Sequence, residues 1–201
     1  MYLYNRSDIT RALQLVGELL AAEGHEFSIV ILGGAALNLL GVVERTTTDV
    51  DIIAFASTKE GVLDESVLTK PPTPLPAPLL RAARTVARDL ALEENWLNAG
   101  PALQWRNGLP PGLAQRVKWQ QRAGLRVGVV DRYDLIFFKL FAAADSAGPR
   151  SVHFQDLLAL NPSADDLNTA AAWVATQDAS PEFASVLRQV VAHVRTDLRL
   201  D

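Results

Sequence analysis

Apolar residues in the first third of the chain recur with two spacings, one typical of helices and one typical of strands. Between residues 7 and 23 they fall every three or four positions, which predicts an amphipathic helix with Ser7 as its N-cap. Residues 27–32 form a short apolar, β-branched run that predicts a buried strand, and residues 50–55 predict a second strand. The glycine-bounded run at 35–40 predicts a short helix between the two strands.

Prolines and glycines punctuate the rest of the chain. Five prolines within residues 70–78 predict an irregular or polyproline segment, since proline is excluded from helix and sheet interiors. Strands at 116–121 and 125–130, joined through Gly124, predict a β-hairpin. The other predicted segments are a helix at 79–94, a loop-like stretch at 96–112, and C-terminal helices at 133–145, 152–160, 164–177 and 181–198. Candidate caps of the C-terminal helices are Asp131, Ser151, Ser163 and Ser180.

This order of elements predicts an α+β fold. We expect a small mixed sheet with flanking helices over residues 1–131, followed by a helical C-terminal subdomain over residues 132–201. The 201 residues are 49% hydrophobic, which suffices for a sizeable core and excludes global disorder.

Net charge and cysteine content limit the classes of ligand and site that the chain can have. A net charge of −4 makes a broad basic face for nucleic acid unexpected, although a local basic groove stays open. The absence of cysteine excludes disulfides, thiolate metal sites and a cysteine nucleophile. The uncharged run at 27–43 is at the lower length limit of a membrane span, but its glycines favour a strand, a turn and a short helix. Because Asp8 and Arg11 interrupt any export signal, we expect a cytoplasmic protein without a membrane partner.

Two short motifs carry candidate chemistry. Gly33-Gly34 follows a predicted strand and opens a helix, where backbone N–H groups can hold a phosphate. Asp49 and Asp51 lie two residues apart at the next strand, so they share one face of it. Adjacent carboxylates repel unless a cation lies between them, and Mg²⁺ prefers such oxygen ligands together with phosphate oxygens. The combination indicates a metal–nucleotide site, although a glycine turn and a strand cap would explain each motif separately.

These residues resemble the signature of the nucleotidyltransferase superfamily, the group similar to DNA polymerase β. In that superfamily Gly-Gly or Gly-Ser is followed, about a helix later, by Asp-x-Asp. The run Arg45-x-Thr47-x-Asp49-Val-Asp51-Ile is typical of a bacterial branch that contains AbiE-type and MenT-type toxins and uncharacterised relatives. The later segments Asp-Leu-Ile-Phe-Phe-Lys-Leu-x-Ala at 134–142 and Gln-Asp-Leu-x-x-Leu at 155–160 resemble further motifs of the branch.

The resemblance implies nucleotidyl transfer, with an NTP as substrate and Mg²⁺ as cofactor. Asp49 and Asp51 would ligate the metal, while Gly33 and Gly34 would face the β- and γ-phosphates. The resemblance also places Lys139 at the triphosphate.

Three further residues keep alternative interpretations. Asp156 matches the last acidic motif, as a base or a structural anchor. Arg45 contacts phosphate, or it pairs with an aspartate or in a surface salt bridge. Asp131 is a third metal carboxylate or a helix N-cap. The Arg-x-x-Asp that many relatives carry after the lysine is altered here, over residues 145–153.

Three functions follow as hypotheses. The first is a Mg²⁺-dependent nucleotidyltransferase acting on a tRNA or protein hydroxyl, as the toxin of a toxin–antitoxin pair with an antitoxin protein as partner. The second is a catalytically silent nucleotide- or partner-binding module. The third is a small-molecule nucleotidyltransferase of the aminoglycoside-modifying type. The acidic net charge slightly disfavours a large RNA acceptor.

Overall fold

The structure, a computed structural model, describes residues 5–59, 62–102, 108–146 and 148–200. These residues form an α+β fold in which a small mixed sheet is flanked by helices, as predicted. The strands are β1 (Phe27–Leu32), β2 (Val50–Lys59), β3 (Val62–Thr69), β4 (Leu97–Asn98), β5 (Lys118–Arg122) and β6 (Leu125–Val129). The helices are α1 (Arg6–Ala22), α2 (Gly33–Leu40), α3 (Ala77–Leu90), α4 (Leu113–Arg116), α5 (Arg132–Asp145), α6 (Val152–Ala159), α7 (Ala164–Val174) and α8 (Pro181–Leu198).

The sheet has the strand order β3-β2-β1-β6-β5, and β4 adds to β2 beside its first two residues. Strand β1 runs antiparallel to β2 and parallel to β6, while β5 and β6 form the predicted hairpin. As a result, the end of β1, the start of β2 and the end of β6 meet at one edge of the sheet. This edge is where the candidate site lies.

The uncharged run at 27–43 is divided between a strand and a helix. Residues Ile29, Val30 and Ile31 of β1 are fully buried, which explains their continuous apolar character. The segment then turns at Gly33 into α2, which ends at Gly41 in the left-handed conformation, φ +72°. Among the described residues, no helix is both long and apolar enough to cross a membrane.

Helix α1 begins two residues earlier than predicted, at Arg6, and its cap is Asn5 rather than Ser7. The Asn5 side chain accepts hydrogen bonds from the backbone N–H of Ser7 and Asp8, at 2.8 and 3.1 Å. Both residue types are good caps, and local pattern alone does not choose between candidates two positions apart.

Three predicted boundaries in the middle of the chain are wrong. Strand β2 runs to Lys59 rather than residue 55, and its hairpin partner β3 was not predicted. Helix α3 ends at Leu90 instead of continuing to residue 94, because Ala91 takes the left-handed conformation and terminates it. The stretch predicted as loop contains β4, and its residues 103–107 lie outside the described residues. Helix α4 follows that stretch and includes Arg116, where the first hairpin strand was predicted to begin.

The described residues divide into two compact units, residues 5–102 with 112–131 and residues 108–111 with 132–200. The second unit is helical, with α5 packed against α6, α7 and α8. Three of its helices begin at the predicted serine caps, Ser151, Ser163 and Ser180, each of which accepts a backbone N–H from the first turn. Its interior includes Phe137 in edge contact with Trp173, at a ring-centroid distance of 5.8 Å.

Candidate metal and nucleotide site

The glycine pair and the aspartate pair are neighbours in the structure. In the antiparallel register of β1 and β2, Leu32 faces Asp51, so Gly33 and Gly34 follow directly beside the start of β2. Asp49 precedes this strand by one residue, and both aspartates are half-buried. Strand pairing therefore brings Gly33 next to Asp51, eighteen positions away along the chain.

Gly33 is required at its position for two reasons. Its φ of +77° lies in the left-handed region, which disfavours any residue with a Cβ. A Cβ added there would lie 2.7 Å from Oδ2 of Asp51, closer than van der Waals contact allows. The carboxylate of Asp51 therefore lies directly against the backbone of Gly33.

Gly34 makes room for a second polar group. A Cβ on Gly34 would lie 2.9 Å from Oγ1 of Thr47 and 3.4 Å from a terminal guanidinium nitrogen of Arg45. The hydroxyl of Thr47 also contacts Asp49, at 3.2 Å from its backbone oxygen and 3.4 Å from its Oδ1. Both aspartates are thus linked to the glycine pair through short contacts.

A buried amide holds the segment between the two motifs. Asn38 of α2 is 2% exposed, and its Nδ2 donates to the backbone oxygens of Gly34 and Arg45, at 3.0 and 2.9 Å. These two hydrogen bonds hold the polar segment that contains Arg45 against α2, the helix that begins at the glycine pair. Sequence reasoning did not assign this role to Asn38 or the contacts of Thr47. The available signals were an asparagine in an otherwise apolar helix and a threonine run beside Asp49.

Asp131 lies at the same edge of the sheet, at the end of β6. Its Oδ2 is 2.8 Å from Nζ of Lys118 on β5, and the Asp131 side chain is 21% exposed. Sequence reasoning did not anticipate this ion pair. Across the part of the chain that the structure describes, no three or more His, Cys, Asp or Glu side chains are grouped as metal ligands would be.

The residues at the glycine–aspartate edge fit a magnesium ion. Two half-buried carboxylates and a threonine hydroxyl offer oxygen atoms, which is the donor type that Mg²⁺ prefers. A pair of carboxylates also matches the usual mode of Mg²⁺ binding, in which substrate phosphates and water complete the coordination. Asp49 and Asp51 are the residues that would hold the ion.

Lys139 and Asp156 lie in the helical unit and contact each other. Nζ of Lys139, on α5, is 2.7 Å from Oδ2 of Asp156, on α6, and both side chains are buried. A buried ion pair of this kind is what the interpretation of Asp156 as a structural anchor predicts. Its interpretation as a base stays a prediction. The contact of Lys139 with a triphosphate stays a prediction.

Comparisons with protein-family models, curated proteins and solved structures found no match to this chain.

Proposed function

We propose that this protein is a Mg²⁺-dependent nucleotidyltransferase that transfers NMP from an NTP to a hydroxyl group. One observation carries the proposal, namely the register that sets Asp51 against Gly33. A backbone turn free of side chains beside two carboxylates suits a metal-bound polyphosphate, because the chain can approach the phosphates closely.

In the proposed reaction the acceptor oxygen attacks the α-phosphorus of the NTP. A new P–O bond forms, the bond between the α-phosphorus and the oxygen bridging to the β-phosphate breaks, and pyrophosphate leaves. The hydroxyl proton passes to water. Bound Mg²⁺ supplies charge neutralisation for the attacking and leaving oxygens.

The residues of the chain have separate tasks in this scheme. Asp49 and Asp51 hold the metal, and the backbone at Gly33 and Gly34 faces the phosphates. Thr47, in contact with Asp49, orients that carboxylate. The acceptor is a tRNA or protein hydroxyl, and an antitoxin protein is the partner if the chain acts as a toxin.

Nucleotide transfer is the first property to measure. We would incubate the protein with each α-labelled NTP, Mg²⁺, total tRNA and a cell lysate, and follow the label. We expect transfer with at least one NTP and loss of at least 100-fold in Asp51→Asn, which keeps the shape of the side chain but removes its charge. Transfer that survives this substitution would contradict the assignment of Asp51.

A second candidate function is a silent nucleotide-binding module. It is favoured by the ion pair of Asp131 with Lys118, since that pair engages the carboxylate that the sequence offered as a third metal ligand. Calorimetry of NTP binding, read together with the transfer assay, separates the two candidates. A silent module binds NTP but releases no pyrophosphate. Asp131→Asn is the informative variant: it leaves a silent module unaffected and reduces transfer if Asp131 takes part.

A further inference from the structure

A groove lies on the far side of β2 from the glycine pair, in the first unit. Its volume is about 690 Å³, within the range of small-molecule sites. The proline-rich segment forms one wall with Pro72 and Pro74, and α3 contributes Leu80 and Ala83. The groove is thus lined largely by apolar side chains of low flexibility.

The end of the groove at β4 is held firmly. Trp96, which precedes β4, is fully buried, and its Nε1 donates to the backbone oxygen of Ala83 at 2.9 Å. This bond ties the start of β4 to α3. Asn98 also lines the groove, and its Oδ1 accepts from the backbone N–H of Gly100 at 2.7 Å, which orients the amide.

Strand β4 joins the groove to the candidate metal site. Leu97 and Asn98 pair in parallel register with Val50 and Asp51 of β2, so Asn98 is the sheet neighbour of a proposed metal ligand. Paired residues of adjacent strands lie about 5 Å apart and project to the same face of a sheet. The groove therefore begins one strand away from Asp51.

The charges around the groove are nearly balanced. The cations Lys70 and Arg84 are matched in number by the anions Glu93 and Glu94. The Arg84 guanidinium is 3.0 Å from the Glu94 carboxylate. A track for a phosphodiester backbone would carry an excess of cations. The groove instead suits an uncharged organic group with an apolar surface.

We propose that this groove binds an uncharged nucleoside moiety. The proline and leucine walls suit the flat faces of a base, and the amides of Asn95 and Asn98 offer the donors and acceptors that a base edge requires. The inference rests on the proposed function, since the nucleoside belongs either to the NTP or to a nucleotide of an RNA acceptor. In both cases the phosphates stay outside the groove.

Binding of free nucleosides tests the groove without metal or phosphate. We would titrate adenosine, guanosine, cytidine and uridine into the intact protein by calorimetry without Mg²⁺. We expect at least one to bind, with equal affinity in Asp51→Asn, because a nucleoside has no phosphate to contact the carboxylates. Failure of all four nucleosides to bind overturns the proposal.

Two groove variants and one control locate the binding. Leu80→Glu places a charge on the apolar wall, and Thr73→Trp occludes the groove from an exposed position; each should weaken nucleoside binding at least 10-fold. Leu90→Glu is the matched control, because Leu90 is a half-buried leucine of α3 that does not line the groove. Binding that is unchanged in Thr73→Trp overturns the proposal, even where Leu80→Glu fails to fold.

Kinetics of the same variants identify the source of the nucleoside. If the nucleoside belongs to the NTP, Thr73→Trp raises KM for the NTP at least 10-fold. If it belongs to an RNA acceptor, Thr73→Trp raises KM for the acceptor instead. If transfer occurs and neither KM changes, the groove proposal is wrong and the proposed function stands. If nucleosides bind the groove and no transfer is found, the proposed function fails and the groove proposal stands.

Discussion

At the scale of single residues, the glycine pair is explained by its neighbours. Gly33 combines a left-handed backbone with close approach of the Asp51 carboxylate, and Gly34 accommodates the Thr47 hydroxyl. A glycine pair after a strand is frequently only a turn. Here the absence of a Cβ on Gly33 and Gly34 also leaves space for the side chains of Asp51 and Thr47. The position of the Asp51 carboxylate therefore depends on glycine in the turn.

Two alanine substitutions separate backbone strain from this packing. Gly33 and Gly41 both have positive φ, +77° and +72°, but only Gly33 has atoms within 4 Å of an added Cβ. Gly41→Ala should lower the free energy of unfolding by about 1 kcal/mol, the usual cost of this conformation. Gly33→Ala should lower it by about 2–3 kcal/mol and displace Asp51.

Urea denaturation gives the free energy of unfolding of each variant, and the nucleotide-transfer assay gives its activity. We expect Gly41→Ala to keep transfer within about 3-fold of the native protein, consistent with a cost below 1 kcal/mol in the transition state, whereas Gly33→Ala loses it. Equal loss of stability in the two variants would show that contact with Asp51 contributes nothing.

At the scale of elements, the buried ion pair joins two helices of the C-terminal unit. Lys139 and Asp156 lie seventeen residues apart, and their contact crosses from α5 to α6. Burying two charges is costly, so such a pair contributes little net stability, yet removing one partner leaves a desolvated charge behind. The pair therefore favours the native packing of α5 on α6 over alternatives.

Lys139→Met tests the pair as an element-level contact. We expect the free energy of unfolding to fall by about 3–5 kcal/mol, because the Asp156 carboxylate stays buried without the ammonium group. The double variant Lys139→Met with Asp156→Leu, an apolar pair, should recover most of that loss, as measured by urea denaturation. If the double variant is less stable than Lys139→Met alone, the ion pair is not the source of the effect.

A second element-level contact is the close approach of α1 to the β5–β6 turn. The backbone N–H of Gly124 donates to the oxygen of Gly17 at 3.0 Å, and a Cβ on Gly17 would overlap the backbone oxygen of Arg122. Glycine in a helix interior normally reduces stability, so Gly17 is a local defect that serves tertiary packing.

Gly17→Ala should therefore destabilise the protein despite its better helix propensity. The propensity gain of about 1 kcal/mol is opposed by overlap with backbone atoms, which move less readily than side chains, and we expect a net loss of about 1–3 kcal/mol. Glu18→Ala, on the exposed face of the same turn, is the control and should change stability by less than about 0.5 kcal/mol. A stabilised Gly17→Ala variant would refute the close packing.

At the scale of the whole molecule, the motifs named from the sequence fall into two separate compact units. The glycine pair, Arg45, the aspartate pair and Asp131 belong to the first unit, while Lys139 and Asp156 belong to the second. Ligand-induced stabilisation is therefore expected first in the unit that carries the aspartates.

Thermal unfolding with and without Mg²⁺ measures this effect on the intact protein. At a concentration 100-fold above Kd, Mg²⁺ with a bound NTP should add about 2.7 kcal/mol to the stability of the unit that binds it. For a chain of this length we expect Tm to rise by about 5–10 °C. Chelation of the metal, or the double variant Asp49→Asn with Asp51→Asn, should remove most of the rise; an equal rise without metal would contradict the site.

Local pattern determined most of the elements and the residues of the candidate site. The strand at Phe27–Leu32, the hairpin around Gly124 and the C-terminal helix Pro181–Leu198 were predictable because each is specified by local spacing, turn chemistry and caps. Asp49, Asp51, Gly33 and Gly34 could be proposed as a group because their order along the chain resembles a known motif.

Tertiary structure alone decided what depends on partners distant in sequence. Strand β3 becomes a strand by pairing with β2, and β4 is a strand of two residues only because it lies beside Val50 and Asp51. The contact of Asp51 with Gly33, the ion pairs of Asp131 and Lys139, and the groove beside β4 follow from strand register and helix packing. Such contacts join residues whose separation along the chain carries no periodic signal, so no local pattern of apolar and polar positions specifies them.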